Sequence, residues 1–511
     1  MMASEDGSIQ SPSSDKLAVN GICQEIPRVA DIGIGIALTT AGRNRAERLK
    51  EGHKQSEKKM GRSTSDADEE ATLYSPTTSI DKIDSLKTGS APLVHPADGG
   101  LHAWLFLIAC FLIEGLALGF PGAYGVFQEY YSTHPPFKDA SGLPTVSTCA
   151  MGISYLGMPI TMGVQRLSPR LSVWSPLIGI FVMTGALVAA SFATTVPHLI
   201  GTQGVLFSIG STLSYCPCIA FLNEWFDRRK GMAYGIMWAG TGLSGSILPF
   251  VLEFLLGKYG YQYTLRVCSL ALAAITLPVV YFVKPRLPPS QTQMQTNPFN
   301  LRFTLSQTFI LHQIANISQA LGFFLPSIFL PTYTRSVLGA GKFVSASTIL
   351  LLNLSSTVGC PTMGWLSDNY HVTRCLFIAT VGASLATFLL WGFSTTVPSV
   401  LIYCAMYGLF AGSYTSAWTG LMLQITTDDS ISDKYSCEDT DPVMVLSVLA
   451  AGRGIGSVLS GPLSQALVGD FWHVKTYGAY GTIYGPLVIF TGITAAFSGI
   501  VLFWRHIGWI H

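Results

Sequence analysis

Apolar stretches long enough to cross a lipid bilayer recur through most of this chain of 511 residues. The hydrocarbon core of a bilayer is about 30 Å thick, so a spanning helix needs about 20 consecutive apolar residues. Such stretches alternate with short polar breaks, which predicts an all-α membrane protein with twelve transmembrane helices. The predicted helices lie at approximately residues 102–128, 144–165, 172–194, 197–222, 231–256, 261–283, 307–333, 344–366, 375–394, 398–424, 442–468 and 479–504.

A polar, proline-rich segment separates the sixth predicted helix from the seventh. It reads KPRLPPSQTQMQTNPFNLRF, and its prolines do not continue a helix. The membrane region is therefore predicted to consist of two six-helix halves, residues 101–283 and 307–511, joined by a cytoplasmic linker at 284–306.

The first hundred residues differ in composition from the rest of the chain. They hold 12 basic and 15 acidic residues, whereas the remainder holds 18 and 14. A segment this polar cannot offset the entropy that folding costs. Residues 1–100 are therefore predicted to form a disordered cytoplasmic tail. No cleavable signal peptide is expected, because the first thirty residues lack a basic start followed by an apolar run.

Composition and charge exclude several classes of function. Charged residues make up only 12% of the chain, against about 25% in soluble domains, so much of the surface must face the lipid bilayer. A net charge of +1 gives no basic field for nucleic acid. The sequence contains no phosphate-binding loop and no Ser/His/Asp arrangement. We therefore expect neither an enzyme nor a bound metal or cofactor.

The basic residues of the short loops predict the orientation of the chain. Lys and Arg are more frequent in the loops on the side of the tail, which indicates that this side is cytoplasmic. Both termini are then cytoplasmic. No sorting signal is legible, so the plasma membrane is the default expectation and the vacuolar membrane is the alternative.

Related loops follow the second and the eighth predicted helices. The later loop runs from Gly364 through Asp368 to Arg374, and the earlier loop has Arg166 at an equivalent place. Gly lets two helices approach, Asp caps or pairs at a helix end, and Arg contacts a neighbouring helix terminus. We interpret both loops as gates, with ordinary helix capping as the alternative.

Two further motifs lead into the first and the fifth helices. The first consists of Asp98, Gly99, Gly100, Leu101, His102, Ala103 and Trp104. The second contains Trp225, Phe226, Asp227, Arg228, Arg229, Lys230 and Gly231. In these motifs the chain resembles the major facilitator superfamily and, within it, the monocarboxylate porter family in its fungal form. The resemblance covers roughly Pro96 to the C-terminus.

The resemblance implies two six-helix halves that rock around a central site, often for the proton-coupled transport of small carboxylates. Three charged residues that the family carries in this site are missing, because Gly122, Ser356 and Cys360 occupy their positions. This departure favours a larger, weakly acidic substrate over a lactate-type substrate.

Two charged residues are predicted near the middle of the membrane. Arg453 lies about eleven residues into its helix, and a lone buried Arg needs a cavity or a partner. A substrate carboxylate or phenolate is one candidate, and helix-end carbonyls are the alternative. Glu114 lies at comparable depth in the first helix. It can carry a coupling proton, because burial favours the neutral form of a carboxyl group; it can also pack as a hydrogen-bonded residue or pair with Arg453.

Polar residues of the seventh and eighth helices extend the candidate substrate site. His312, Asn316 and Gln319 are spaced i, i+4 and i+7, so they share one helix face, which should point away from lipid. They and Asn353 either line the cavity or form hydrogen bonds between helices. Aromatic residues near Gly-rich turns either stack on a flat ligand or pack within the bundle; they are Tyr124, Phe127, Tyr407, Tyr414 and Trp418.

One structural ion pair is also predicted. Glu253 and Arg266 lie on consecutive antiparallel helices, each within about two turns of the outer surface. Glu224, just before the second motif, is assigned to the gate cluster.

These features predict a secondary active transporter that works by alternating access. Its partners would be a small-molecule substrate, protons and the lipid bilayer, and the oligomeric state stays open. Export of a weakly acidic organic compound or secondary metabolite is the first expectation. Proton-coupled uptake of a monocarboxylate is the alternative, and a non-transporting receptor or sensor is an alternative of another class.

Overall fold

The computed structural model describes residues 98–138, 140–286, 299–427, 440–468 and 476–508. Within these ranges every regular element is a helix, as predicted. The predicted tail up to residue 97 lies outside the described residues, and so do residues 287–298 of the predicted linker.

Membrane helices α1 to α6 form the first half. The helix α2 is broken at Gly157, and α5 passes into α6 through Gly260, whose φ of 74° favours glycine. The bounds are Leu101–Thr133 for α1, Leu143–Leu156 with Met158–Leu167 for α2, Pro169–Ala190 for α3, Val196–Trp225 for α4, and Lys230–Val280 for α5 and α6 together.

Membrane helices α7 to α12 form the second half. A short 3-10 segment, Tyr414–Ala417, interrupts α10. The bounds are Gln307–Ser336 for α7, Lys342–Asn369 for α8, Val372–Trp391 for α9, Val397–Thr427 for α10, Pro442–Leu467 for α11 and Gly485–His506 for α12.

In the described part of the chain, 10 helices are long and apolar enough to cross a membrane. Two features reconcile this number with twelve spans. The two pieces of α2 have 14 and 10 residues, so each is short by itself. The helix of 51 residues that contains α5 and α6 provides two spans. The twelve membrane helices are thus confirmed. The last helix begins at Gly485 and not at the predicted residue 479, because Gly478–Gly481 forms a separate 3-10 turn.

The outer surface of the bundle is apolar. Large side chains such as Phe343 and Leu270 are exposed by 75% and 72%. Exposure of this kind is unfavourable in water, whereas in a bilayer these side chains contact lipid tails.

Small residues bring helices of the two halves into contact. Gly235 of α5 packs against the carbonyl oxygen of Cys360 in α8. Gly454 of α11 lies against Tyr155 of α2, where an added methyl group would sit only 2.7 Å from the Tyr155 Cβ. The halves therefore meet along two helix pairs, α5 with α8 and α2 with α11.

Candidate functional site

The residues before α1 are bound to the turn that precedes α5. The carboxylate of Asp98 accepts three backbone hydrogen bonds, from the N–H groups of Asp227, Arg228 and Arg229 at 2.8, 2.9 and 3.1 Å. Burial alone would raise the pKa of the Asp98 carboxyl, but the three hydrogen bonds outweigh burial and lower this pKa below its usual value. Asp98 thereby fixes the turn at the start of α5.

The rest of the first motif packs beside this turn. Gly100 has a φ of 90°, which favours glycine, and directly precedes the first residue of α1. Gly99 has open space around its Cα. Trp104 contacts Phe226 edge to face, with ring centroids 6.3 Å apart. The two sequence motifs therefore form one packed unit.

The end of α8 binds the start of α5 in the other half. Asp368 accepts hydrogen bonds from the backbone N–H groups of Gly231 at 2.6 Å and Met232 at 2.8 Å. Gly364 lies directly against the carbonyl oxygen of Gly231, where a side chain would collide. We call this contact the first clasp, and the end of the bundle at which it lies the clasp end.

The end of α2 binds the start of α11 at the same end of the bundle. Arg166 donates from Nε to Asp441 at 2.8 Å and from Nη2 at 3.1 Å, so the ion pair is bidentate. Asp441 also caps α11, because it accepts a bond of 3.0 Å from the N–H of Val443. We call this contact the second clasp.

Other basic residues of the predicted gates have no such role. The side chain of Arg374 is exposed and forms no hydrogen bond or ion pair with the described residues. Arg228 and Arg229 are also exposed and contribute their backbone N–H groups to the Asp98 turn. Asp227 forms an ion pair with Lys230 at 3.7 Å.

Arg453 lies buried near the midpoint of α11. Its Nη1 donates a hydrogen bond of 3.0 Å to Oε1 of Gln319 in α7. Its guanidinium carbon lies 4.3 Å from the centre of the Phe323 ring. Among the described residues no carboxylate pairs with it. A guanidinium held by a neutral amide and an aromatic face can still bind an anion.

Glu114 lies buried in α1, and its Oε2 has no hydrogen-bond partner among the described residues. It does not pair with Arg453, so that alternative is wrong for this conformation. Tyr155 of α2 and Cys360 of α8 lie within electrostatic range of both charged groups. Glu114 and Arg453 therefore border one central region from opposite halves.

The polar face of α7 divides into two parts. Asn316 donates to the carbonyl oxygen of Leu449 at 2.7 Å, which ties α7 to α11. Nδ1 of His312 lies 2.8 Å from the carbonyl oxygen of Thr308 in its own helix, and its Nε2 has no partner among the described residues. Of the three residues on this face, Gln319 is the one that contacts the central guanidinium.

Two residues predicted for the substrate site contact the other half of the protein and not the guanidinium of Arg453. Asn353 of α8 donates to the carbonyl oxygen of Gly245 in α5 at 3.2 Å. Trp418 of α10 contacts Trp238 of α5 edge to face, with centroids 5.9 Å apart. Both lie on the interface between the halves.

The predicted aromatic residues separate into two groups. Tyr124 donates its hydroxyl to the carbonyl oxygen of Leu143 at 3.2 Å and packs against Phe127 within the first half. Tyr407 stacks on Phe323, with centroids 6.4 Å apart, and so lies beside the guanidinium site.

Comparison with known proteins identifies the family. Residues 138–431, more than half of the chain, match the Major Facilitator Superfamily. This chain belongs to the Major Facilitator Superfamily.

Relatives of this superfamily member include fungal transporters. MFS transporter asaE of Aspergillus flavus is 23% identical to it, over 78% of this chain and 88% of its own. The aspyridones efflux protein apdF of Emericella nidulans is 24% identical, over 79% of this chain and 80% of its own. The crystal structure of the nucleoside transporter NupG superimposes with a TM-score of 0.54 and 14% identity, covering 80% of this chain and 99% of NupG. This likeness shows the common fold.

One predicted contact is wrong in this superfamily member. Glu253 and Arg266 form no ion pair among the described residues. Arg266 donates instead to Ser191 at 3.1 Å and lies over the ring of Phe192, 4.8 Å from its centre. The break at Gly260 lies between the two residues and reorients α6, so Arg266 contacts the end of α3.

Some residues of the site are not among those predicted from the sequence. Asp441 is one of them, although an Asp followed by Pro442 at the start of an apolar run is a signal for a helix N-terminus. Phe323 and Tyr155 carry no such signal, because an aromatic residue in an apolar helix is common and its neighbour on another helix is invisible in one sequence.

Proposed function

We propose that this superfamily transporter exports a weakly acidic organic compound, whose anionic group binds Arg453. The buried guanidinium carries this proposal. It has a neutral hydrogen-bond partner at 3.0 Å and no carboxylate partner among the described residues. A buried, unneutralised charge is costly, so the site gains stability when an anion enters it.

The surroundings of Arg453 favour an aromatic or otherwise bulky substrate over a small carboxylate. The ring of Phe323 lies beside the guanidinium, and Tyr407 stacks on Phe323. In α8, Ser356 and Cys360 interact with each other at 3.9 Å and provide no second cation. The relative named as an aspyridones efflux protein also favours export. Uptake of a monocarboxylate stays the competing proposal.

We assign the coupling proton to Glu114. Its carboxylate is buried and Oε2 has no partner among the described residues, so no cation holds it in the charged form. The titratable groups that interact with its charge are Cys110 on its own helix, Tyr155 on α2, Tyr215 and Cys216 on α4, and Cys360 on α8. Binding a proton there while the substrate leaves would couple export to the pH gradient.

The clasps supply the gate of this scheme. Both join the halves at the clasp end, so the central region would open at the opposite end. With the clasp end on the cytoplasmic side, this conformation would release substrate to the outside. We further propose that the transporter lies in the plasma membrane. It would have a cytoplasmic tail at 1–100 and two halves, 101–283 and 307–511, joined by the linker at 284–306. The packed pair of motifs at Asp98 and Asp227 supports its placement in the monocarboxylate porter family.

A comparison of metabolites tests the function. Cells with and without the gene are grown at two external pH values, and small molecules are compared between cells and medium. We expect a weak acid to accumulate inside the deletion strain. Accumulation should persist when the strain carries Arg453→Ala and disappear with the control variant Arg266→Ala, whose arginine lies at the end of α3. A nutrient acid left unused in the medium would instead support uptake.

The same strains test the proton assignment. Glu114→Gln should remove the dependence of export on external pH, because the amide binds no proton. If export by Glu114→Gln changes with pH as in the wild type, Glu114 is not the coupling group.

A further inference from the structure

A small cavity lies inside the second half, next to the proposed anion site. It lies among α7, α9, α10 and α12 and has a volume of about 10 Å³, roughly the space of one water-sized group. The polar side chains that line it belong to Gln319, Thr380, Tyr407, Tyr414, Thr491 and Ser498.

Three of the hydroxyl groups that line this cavity have no partner. The Oγ1 of Thr491 is fully buried and accepts or donates no hydrogen bond among the described residues. The hydroxyls of Tyr407 and Tyr414 also form no hydrogen bond within the described part of the chain, but unlike Oγ1 of Thr491 they are not fully enclosed by protein atoms. A buried hydroxyl is almost always paired, so the unpaired hydroxyl of Thr491, beside two tyrosine hydroxyls that are free to bond, points to a missing partner in the cavity.

The other hydroxyls of the same cavity provide a contrast. Thr380 donates to the carbonyl oxygen of Phe377 at 3.0 Å, and Ser498 donates to that of Ala495 at 2.6 Å. These two groups are satisfied by their own helices. The unpaired set is therefore confined to the α10 side and to Thr491.

The cavity is connected to the guanidinium site by two shared side chains. Gln319 lines the cavity and also accepts the hydrogen bond from Arg453. Tyr407 lines the cavity and stacks on Phe323, which lies under the guanidinium. A group bound in the cavity would thus lie one side chain away from an anion bound to Arg453.

We propose that this cavity is a substrate subsite that binds one oxygen function, a hydroxyl or a carbonyl, close to the anionic group. The proposal rests on the function proposed for Arg453. Tyrosine and threonine hydroxyls both donate and accept, so they suit either kind of oxygen. The substrate class is therefore an organic acid that carries a second oxygen near its acidic group.

Matched small acids test this subsite. Binding of benzoate and of its three monohydroxy isomers to the purified full-length protein is measured by calorimetry. We expect at least one hydroxybenzoate to bind the wild type about threefold to tenfold more tightly than benzoate, which corresponds to one net hydrogen bond. Thr491→Val, Tyr407→Phe and Tyr414→Phe should each reduce this preference, and Thr491→Val, which does not touch the guanidinium site, should leave the affinity for benzoate unchanged.

Two further variants keep the test decisive. Thr491→Ser retains the hydroxyl and should retain the preference. Thr276→Val removes a hydroxyl of α6 that donates to Leu272 at 2.7 Å, away from the cavity, and should not alter the preference. The thermal stability of each variant is measured, and we expect no loss in the cavity variants because they remove unpaired groups.

The outcomes separate the subsite from the proposed function. If the wild type binds no hydroxybenzoate more tightly than benzoate, or if the preference survives all three cavity variants, the subsite is overturned and the cavity holds water only. Arg453→Gln should weaken all four acids. If Arg453→Gln binds them as the wild type does, the proposed function fails; if it weakens them while the preference survives the cavity variants, the subsite alone fails.

Discussion

The two clasps join equivalent helix ends, yet they use different chemistry. Each links the end of the second helix of one half to the start of the fifth helix of the other half. In the first clasp, Asp368 binds the backbone N–H groups of Gly231 and Met232. In the second clasp, the carboxylate of Asp441 belongs to the helix start itself, and Arg166 reaches it from the other half.

The two clasps differ in the distance over which their contacts can join the helices. Backbone N–H groups at a helix start bind a carboxylate through short contacts, so the helices must approach closely. Gly364 and Gly231 permit this approach. An arginine side chain spans a larger gap, and that of Arg166 is 26% exposed, so salt can screen its charge. The first clasp should therefore depend on shape, and the second on charge.

The largest effect is expected from Gly364→Ala. The added methyl group would collide with the carbonyl oxygen of Gly231, so the first clasp could not close. We expect transport to fall at least tenfold, and hydrogen exchange at the amides of Gly231 and Met232 to accelerate. The matched control is Gly461→Ala in α11, where nothing lies within 4 Å of the new methyl group. Equal transport by both variants would contradict the role of shape.

Asp368→Asn should have the next largest effect. It removes the charge and leaves one acceptor for the two N–H groups, and a hydrogen bond to a charged group contributes about 1.5–3 kcal/mol. Exchange at the amides of Gly231 and Met232 should accelerate equally at low and high salt. Exchange at the amide of Val443 should not change. A variant that accelerates exchange at both clasps equally would show that they do not act separately.

A smaller effect is expected for the second clasp, measured by a double-mutant cycle. Arg166→Ala and Asp441→Ala should show a coupling energy of about 1 kcal/mol in the free energy of unfolding, and the coupling should shrink in high salt. Asp441→Ala alone should cost more than Arg166→Ala, because it also removes the cap on Val443. A coupling that does not change with salt would place the second clasp in the same class as the first.

Arg374→Gln should have the smallest effect, although this arginine belongs to the predicted gate. Its side chain is exposed and forms no hydrogen bond or ion pair with the described residues. Transport should stay within about twofold of the wild type, whereas Arg166→Gln should weaken the second clasp. A loss of transport by Arg374→Gln beyond that of Arg166→Gln would mean that its partner forms in another conformation.

Hydropathy alone was sufficient for the fold, because lipid requires about 20 apolar residues for each span whatever the details of packing. The predicted halves of six helices agree with the superfamily match. Local loop signals also placed Asp368 at a helix end. The partners of these residues were harder to predict, because they lie on helices far away in sequence. The donors to Asp368, for example, are 136 and 137 residues distant.

The central site shows the same limit. The depth of Arg453 and Glu114 in their helices follows from counting residues, so both could be selected as buried charges. Which neutral groups surround them depends on helix rotation, as the contacts of Arg453 with Gln319 and Phe323 illustrate. The error at Arg266 has the same origin, because the break at Gly260 changes the rotation of α6.

The central claim is that Arg453 binds the anionic group of an exported compound. Its most direct test is flux through purified protein in proteoliposomes, using the acid that accumulates in cells without the gene. We predict that the wild type and Arg266→Gln transport this acid when a proton gradient drives protons in the opposite direction. Arg453→Gln should transport it less than about a tenth as fast, because a buried charged contact with the substrate is lost. Transport by Arg453→Gln at the rate of the wild type would contradict the account.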